Sequence, residues 1–435
     1  MEILIVGNGG REHALAWQAK KSPLVDKVYV APGNGGTAME LGVKNVPIPA
    51  NDINALVEFA AKEQISLTIV GPEEPLVMGI VDTFEKEGLY IFGPSKKCAQ
   101  LEGSKIWMKD FLSRHNIPTA KSKWFYSSEI ASIYVRKNAT FPIVIKADGL
   151  AAGKGVSIVH TEEEAEKVID DILNNRVFGD AGNRVLIEDY LEGEEASYIC
   201  MVDGEHILPL VPSQDHKPVG DGDVGPNTGG MGAYTPNPIV DADVEYKILN
   251  QIIKPTVQGM IKDGNPYVGF LYAGLKIDSN GNPKVLEFNC RMGDPETQPI
   301  IMRMKSDLVD ICLAAIKKEF DGIQRITWSE DAAVGIVLAS RGYPGNSEQG
   351  RSLWVKHGLA SVGPLSDTKI FYAGAEMNPV DNQLYTTGGR ILCVTALGES
   401  VEVAQQKAYR AIREIECEGT FYRKDIANKA IKDAS

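Results

Sequence analysis

The first hundred residues alternate short apolar runs with segments of helical period, and this alternation constrains the fold more than any other feature. The runs are Ile3–Val6, Val28–Ala31, Leu67–Val70 and Tyr90–Phe92. Between them, segments such as Ile53–Glu63 and Val77–Glu87 have the spacing of helices. Strands separated by helices predict a parallel sheet covered on both faces. A parallel order brings the carboxyl ends of the strands to one edge, where ligands bind. The loops expected there are Gly7–Arg11, Ala31–Gly36, Gly71–Pro75 and Gly93–Ser95.

From residue 104 the pattern changes. A helix Ser104–His115 precedes the strands Pro142–Ala147, Val156–Val159 and Arg184–Tyr190, and Thr161-x-x-Glu164 has the pattern of a capping box. Strands Ala196–Val202 and His206–Val211 lead into a polar, glycine-rich loop, Ser213–Tyr234. Strands Gly269–Ile277 and Lys284–Cys290 flank Asn280-Gly281, a strong hairpin signal. Antiparallel hairpins here predict an α+β middle region. From about Ile326 a small α+β part carries strands Ala332–Ala339 and Arg390–Ala396 and a helix Ser400–Ile415. The divisions expected are 1–103, 104–325 and 326–435.

Composition removes several classes of function. The net charge is −13, with 45 basic against 58 acidic residues, which argues against a general nucleic-acid partner. No run approaches the roughly 18–20 apolar residues of a membrane span. The start of the chain lacks the basic flank of a secretory signal and reads straight into a strand. The six scattered cysteines, with no C-x-x-C pair, argue against a disulfide framework or a structural zinc. A cytoplasmic protein with reduced thiols and no membrane partner is expected. No histidine pair of metal-binding spacing and no G-x-S-x-G elbow occurs, so neither a transition-metal site nor a hydrolase triad is expected.

Four constellations remain. In the first glycine loop, Asn8-Gly9-Gly10-Arg11, the third glycine of a dinucleotide fingerprint is replaced by Glu12. NAD is therefore set aside, leaving another phosphate ligand at a helix N-terminus or a structural turn. The loop Lys146–Gly155 has strands on both sides and lacks the Ser/Thr of a Walker A loop; it reads as a hairpin lid over polyphosphate or as a surface turn. Glu188–Glu195 has acids at both ends, and reads as contacts to a nucleoside or as a solvated loop. On the strand Lys284–Cys290, Leu286, Phe288 and Cys290 share one face and Glu287 and Asn289 the other. Two oxygen donors on one face suit Mg²⁺ or Mn²⁺; a plain edge strand also alternates.

Taken together, Asn8–His13, Gly71–Pro75, Lys146–Gly155, Gly225–Ala233 and Glu287–Glu296 resemble the glycinamide ribonucleotide synthetase (phosphoribosylamine–glycine ligase) family of the ATP-grasp superfamily, over essentially the whole chain. The resemblance implies an α/β N-terminal parallel-sheet domain followed by an α+β ATP-grasp core, with a mobile lid subdomain at about 122–193, and a small α+β C-terminal domain. It implies ATP phosphate contacts at Lys105, Lys146 and the lid residues Gly153, Lys154 and Gly155. Glu188 and Leu191 would meet the adenine, Glu195 the ribose hydroxyls, and Glu287 and Asn289 the metal, Mg²⁺ or Mn²⁺. Members of the superfamily often carry a further acid on the preceding strand; here none occurs until Asp278. Asn227, Arg291 and Asp294 are the implied catalytic positions on the acceptor side. Asn8, Gly9, Gly10, Arg11, Gly229, Gly230 and Met231 are implied substrate contacts.

The implied reaction joins glycine to 5-phosphoribosylamine at the expense of ATP, through glycyl phosphate, in purine synthesis. The partners are those small molecules, and the chain is expected as a monomer or homodimer. Two other readings stay open: a related carboxylase acting on an imidazole ribonucleotide, and a nucleotide-binding sensor.

Overall fold

The computed structural model describes residues 1–150, 155–323, 325–355 and 367–433. Its first sheet has five parallel strands in the order Val43–Asn45, Lys27–Pro32, Glu2–Gly7, Leu67–Val70, Ile91–Phe92. Alternate residues of the central strand feed two cores. Ile3 and Ile5 pack with Leu15, Ala19 and Val28, whereas Leu4 and Val6 pack with Leu56, Ile80 and Phe84. Burial on both faces is what makes such strands continuously apolar. The single helix expected at Val77–Glu87 is two, Glu73–Met78 and Ile80–Lys86. They break at Gly79, whose φ of +101° is left-handed.

The segment around 122–189 forms an antiparallel sheet in the order Ser122–Phe125, Val185–Asp189, Ile143–Ala147, Val156–Val159. Helices Ser128–Asn138 and Glu162–Leu173 cover one face, where Ile143, Ile145, Val185 and Ile187 are buried. By alternation, Lys146, Leu186 and Glu188 lie on the other face. Thr161 caps the second helix by accepting from the Glu164 amide at 3.2 Å. The capping box is not reciprocal, because Glu164 accepts from the His160 amide instead.

A central antiparallel sheet follows, in the order Ile207–Pro209, Glu194–Asp203, Val268–Ile277, Pro283–Asn289. Tyr198, Cys200, Leu271 and Phe288 pack with Ile248, Ile252 and Val257 of the helical stretch 242–262. Ile199, Met201 and Phe270 join the core of the first sheet. The Asn280-Gly281 hairpin forms as expected, with Gly281 at φ +68°. One face assignment is corrected. A bulge between Gly274 and Leu275 leaves Leu286 unopposed, so Val285 rather than Leu286 joins Phe288 and Cys290 in the core.

The polar loop expected at Ser213–Tyr234 holds four short strands. Gln214–Asp215 and Gly232–Thr235 extend the C-terminal sheet, ordered Gln214–Asp215, Gly232–Thr235, Ala332–Ser340, Arg390–Gly398, Thr368–Tyr372. Helix Val401–Ile412 packs on it, ending three residues short of the expected Ile415. This threading brings 213–235 beside the central sheet, where Ser197 and Ser213 form a bridge.

Candidate active site

Helix Lys105–Arg114 puts Lys105 and Lys109 one turn apart, on the same side. Lys109 Nζ lies 3.0 Å from Glu188 Oε1 and donates to Thr119 Oγ1 at 2.7 Å. Lys146 Nζ lies 2.8 Å from Glu188 Oε2 and donates to the Leu286 carbonyl at 3.1 Å. Lys146 thus ties the 122–189 sheet to the strand that bears Glu287. Burial pushes the Glu188 carboxyl up, but the two ammoniums outweigh it and hold it below its ordinary value. Lys105 Nζ donates to the Gly149 carbonyl at 3.0 Å. Its ammonium is disfavoured by burial, with Glu287 opposing. Gly155 is described, and its carbonyl accepts from the Ala147 amide. The expected Gly153 and Lys154 lie outside the described residues.

Glu287 and Asn289 keep the shared face expected of them, since the bulge comes before both. Lys217 Nζ donates to Glu287 Oε1 at 3.4 Å and lies 3.8 Å from Glu195 Oε2. Lys276 approaches Glu195 Oε1 at 3.5 Å. The Lys217 ammonium, ahead of opposing burial and of Lys146 and Lys105, holds the Glu287 carboxyl at about 2. Glu287 is therefore ionised at neutral pH. Asp278 accepts from the amides of Asn280 and Asn282 and so holds the hairpin. Among the described residues no group of three or more His, Cys, Asp or Glu side chains is arranged to hold a metal.

A second cluster forms where three stretches of chain meet. Arg291 Nε donates to Glu73 Oε2 at 3.1 Å, and its Nη2 lies 2.8 Å from Glu102 Oε1. Arg291 holds Glu73 at about 2, while burial lifts Glu102 to about 7. Asp294 Oδ1 accepts from Gln298, and its Oδ2 accepts from Arg390 Nη2 at 2.9 Å. Arg390 Nη1 donates to the carbonyls of Gly229 at 2.6 Å and Asp294 at 2.7 Å. Arg11 Nη1 donates to the Met292 carbonyl at 3.2 Å. The first glycine loop, the 291–294 turn and the 229–230 loop therefore share one place. Asn227 ends the strand Val224–Asn227, half-buried. Leu191 lies in the connection before Glu194–Asp203, also half-buried.

Two of the expected substrate contacts, Met231 and the first glycine loop, are engaged within the protein. Met231 is fully buried in the C-terminal core; its amide donates to the His216 carbonyl and its carbonyl accepts from Val337. The first glycine loop does not hold an empty anion cradle. Glu12 fills it, with Oε2 accepting from the Gly9 amide at 2.5 Å and Oε1 accepting from Arg11 Nε. Gly7, at φ +126°, leaves room for that side chain: a Cβ there would lie 2.5 Å from Glu12 Cγ. Asn8 is exposed and Gly10 is buried inside the helix Gly10–Lys20.

Sequence reasoning missed Lys109, Asp215, Lys217 and Arg390. Lys109 had a signal, its spacing of four from Lys105 on one helix. The others had none: Asp215 is placed by pairing with Ala233, Lys217 meets Glu287 seventy residues on, and Arg390 meets Asp294 across 96 residues.

Residues 1–102, 103–297 and 333–429 match, in order, the N, ATP-grasp (A) and C domain models of phosphoribosylglycinamide synthetase. The chain belongs to the phosphoribosylglycinamide synthetase family. It is 57% identical to the phosphoribosylamine–glycine ligases of Yersinia pestis and Escherichia coli strain K12, over 431 and 435 residues and 99% of each chain. A crystal structure of phosphoribosylamine–glycine ligase from Thermotoga maritima superposes with a TM-score of 0.84 at 34% identity, covering 98% of this chain and 100% of that one. The biotin carboxylase domain of Hydrogenobacter thermophilus 2-oxoglutarate carboxylase shares the fold, with a TM-score of 0.71 at 15% identity over 97% of this chain and 91% of that one. The three matched sections of the family are the three stretches that meet around Arg291, Asp294 and Arg390.

Proposed function

We propose that this member of the phosphoribosylglycinamide synthetase family ligates glycine to 5-phosphoribosylamine, converting ATP to ADP and phosphate and yielding glycinamide ribonucleotide for purine synthesis. The observation that carries the proposal is full-length identity above half to enzymes of that name. The cluster of Lys105, Lys146 and Lys217 around Glu287 supports it chemically.

A carboxylate is a poor electrophile and must be activated before an amine can attack it. Transfer of the γ-phosphoryl group to glycine forms the mixed anhydride, glycyl phosphate, and releases ADP. Lys105 and Lys146 are assigned to offset the charge of the phosphates, and the catalysis is mainly positioning and electrostatic. The amine of phosphoribosylamine then attacks the acyl carbon, the C–O bond to phosphate breaks, and the amine loses a proton. Arg291, Asp294 and Asn227, with Gly229, Gly230 and Arg11, form the side assigned to this acceptor. Glycyl phosphate and phosphoribosylamine both hydrolyse readily, so the 122–193 lid has a use in excluding water.

The donors present fit a divalent cation. Glu287 is held ionised and Asn289 presents an amide oxygen on the same face, which are hard ligands of the kind magnesium shares with substrate phosphates. An ion held there, magnesium or manganese, would neutralise charge on the phosphate oxygens. Glu188, Leu191 and Glu195 are assigned to the nucleoside, and Gly153, Lys154 and Gly155 to its phosphates. The divisions 1–103, 104–325 and 326–435 are the working parts of a cytoplasmic monomer or homodimer. No helix among the described residues is long and apolar enough to cross a membrane.

The test is ADP release with freshly generated phosphoribosylamine. Release should require glycine and phosphoribosylamine together. Turnover without glycine, or with bicarbonate in its place, would refute the proposal.

A further inference from the structure

Asn34, in the loop Ala31–Gly36, is only 4% exposed, and its side-chain amide is engaged at both ends. Oδ1 accepts from the amides of Gly36 at 2.8 Å and Thr37 at 3.0 Å, capping the short helix Gly35–Met39. Those two donors fix which way the side chain points, so Nδ2 must face acceptors. It donates to the Asn8 and Tyr372 carbonyls, both at 2.8 Å, with the Gly9 carbonyl at 3.4 Å. The main chain of Asn34 is held as well. Its amide donates to Thr37 Oγ1 and its carbonyl accepts from Asn45 Nδ2, both at 2.8 Å.

The acceptors of Nδ2 belong to different sections of the chain. Asn8 and Gly9 open the first glycine loop, and Gly9 lies close to the 291–294 turn: a Cβ there would stand 3.5 Å from Asp294 Oδ2. Tyr372 ends Thr368–Tyr372, the edge strand of the C-terminal sheet. An edge strand leaves main-chain groups facing outward. At Tyr372 both are taken by the N-terminal section, since its amide donates to His13 Nδ1 at 2.9 Å. With Nδ1 accepting, the His13 ring proton sits on Nε2 and goes to Glu40 Oε1 at 3.0 Å. Lys369, from the same edge strand, pairs with Glu40.

We propose that Asn34 is a positioning residue for the acceptor: it ties the Asn8–Gly9 main chain to the edge of the C-terminal sheet and so sets where the first glycine loop meets phosphoribosylamine. The inference rests on the ligase reading and adds to it a residue that acts only through the loop. The loop needs such support. Gly7, Gly9 and Gly10 surround Asn8, so its backbone is intrinsically free to turn. Glu12 fixes the Gly9 amide, whereas Asn34 fixes the carbonyls. A displacement of about 1 Å at a reacting group can cost about 100-fold in rate, so a loop of this kind is worth anchoring.

Asn34→Asp tests the role with almost no change of shape. One carboxylate oxygen keeps the two cap amides; the other replaces Nδ2 and faces the Asn8 and Tyr372 carbonyls with no proton to share. We expect the KM for phosphoribosylamine, generated fresh in the assay, to rise at least about tenfold, while those for ATP and glycine stay within roughly twofold. A merely structural role would not give that split, because general loosening raises all three together. A phosphoribosylamine KM within roughly twofold of wild type would overturn the proposal, as would equal rises for the three substrates. Should Asn34→Asp fail to fold, Asn34→Ser keeps a capping hydroxyl and removes the amino donor without adding charge. It should raise the phosphoribosylamine KM several-fold, and no rise would overturn the proposal. The ligase reading is tested apart from this. If the wild-type enzyme shows no turnover that depends on phosphoribosylamine, that reading fails before any variant is made, and the proposal with it.

Discussion

Replacing Glu188 with glutamine probes the buried charge cluster most directly. The carboxylate stands between Lys146 and Lys109, and the three side chains are between 3% and 6% exposed. Glutamine has nearly the same shape, so packing is kept and charge is lost. Removing one partner of a buried ion pair costs about 3–5 kcal/mol, because the charge left behind is uncompensated in a poor dielectric. Two ammoniums would be stranded here, which raises the cost. Each also keeps neutral acceptors: Lys146 has the Leu286 carbonyl at 3.1 Å, and Lys109 has Thr119 Oγ1 at 2.7 Å and the Ala120 carbonyl at 3.1 Å. Either can also shed a proton. The lower end, about 3 kcal/mol, is therefore expected from urea unfolding. The pH dependence fixes the cause. The folded carboxyl titrates below its ordinary 4.5, so its stabilisation is complete above pH 4.5 and is lost as pH falls through the folded value. The deficit of Glu188→Gln should shrink below pH 4.5. A deficit near zero at pH 7, or one that grows on acidification, would refute the reasoning. Adding Lys109→Met to the variant should restore part of the loss, since one stranded charge is then gone.

Glu287→Ala should leave the fold intact and lower kcat/KM by at least about 100-fold, with a higher magnesium requirement; wild-type rates in magnesium would remove Glu287 from the metal site. Arg423 is 2% exposed and fastens the hairpin Pro218–Asn227 through the Pro218 carbonyl, Asp223 and Asp425. Arg423→Met should destabilise by about 2 kcal/mol and speed amide exchange in residues 218–227; unchanged exchange would show that the clamp is idle. Burial, followed by the Arg423 guanidinium, holds His216 at about 4, and its Nε2 accepts from the Ala427 amide. The unfolded chain takes up that proton first, so stability should fall by about 1.4 kcal/mol per unit as pH drops from 6.5 toward 4, and His216→Gln should lack this slope in urea titrations.

What could be read from the letters, and what could not, follows the range of the interactions involved. The N-terminal sheet was legible because each strand is a continuous apolar run between punctuating loops, and local pattern suffices. Thr161 announced a helix start through a cap that acts within three residues. The pair Glu287 and Asn289 survived because alternation holds after the bulge; Leu286 was misplaced because a bulge leaves no mark on alternation. Glu12 was visible as the missing third glycine, yet its meaning was not. In this structure the carboxylate accepts from the Gly9 amide that such a loop would offer an anion. Asp215 and Lys217 were hidden in a polar stretch that reads as a loop, since the Gln214–Asp215 strand is completed only by pairing with Gly232–Thr235 and through it with Ala332–Ser340.

The side we assign to the acceptor is held by three arginines, one from each section of the chain. Arg11 reaches the Met292 carbonyl, Arg291 reaches Glu73 and Glu102, and Arg390 reaches Gly229 and Asp294. Each crosses from its own section to another, so no section completes this side alone. A guanidinium suits the task because its planar donors can meet several acceptors at fixed angles. Arg390 bonds the Gly229 carbonyl, the Asp294 carbonyl and Asp294 Oδ2 together. A lysine ammonium there keeps the charge and loses that fork. Arg390→Lys should therefore preserve the ion pair with Asp294 while releasing the 229–230 loop. If Arg390 acts by positioning, the KM for phosphoribosylamine rises and that for ATP does not; if it supplies charge alone, neither moves.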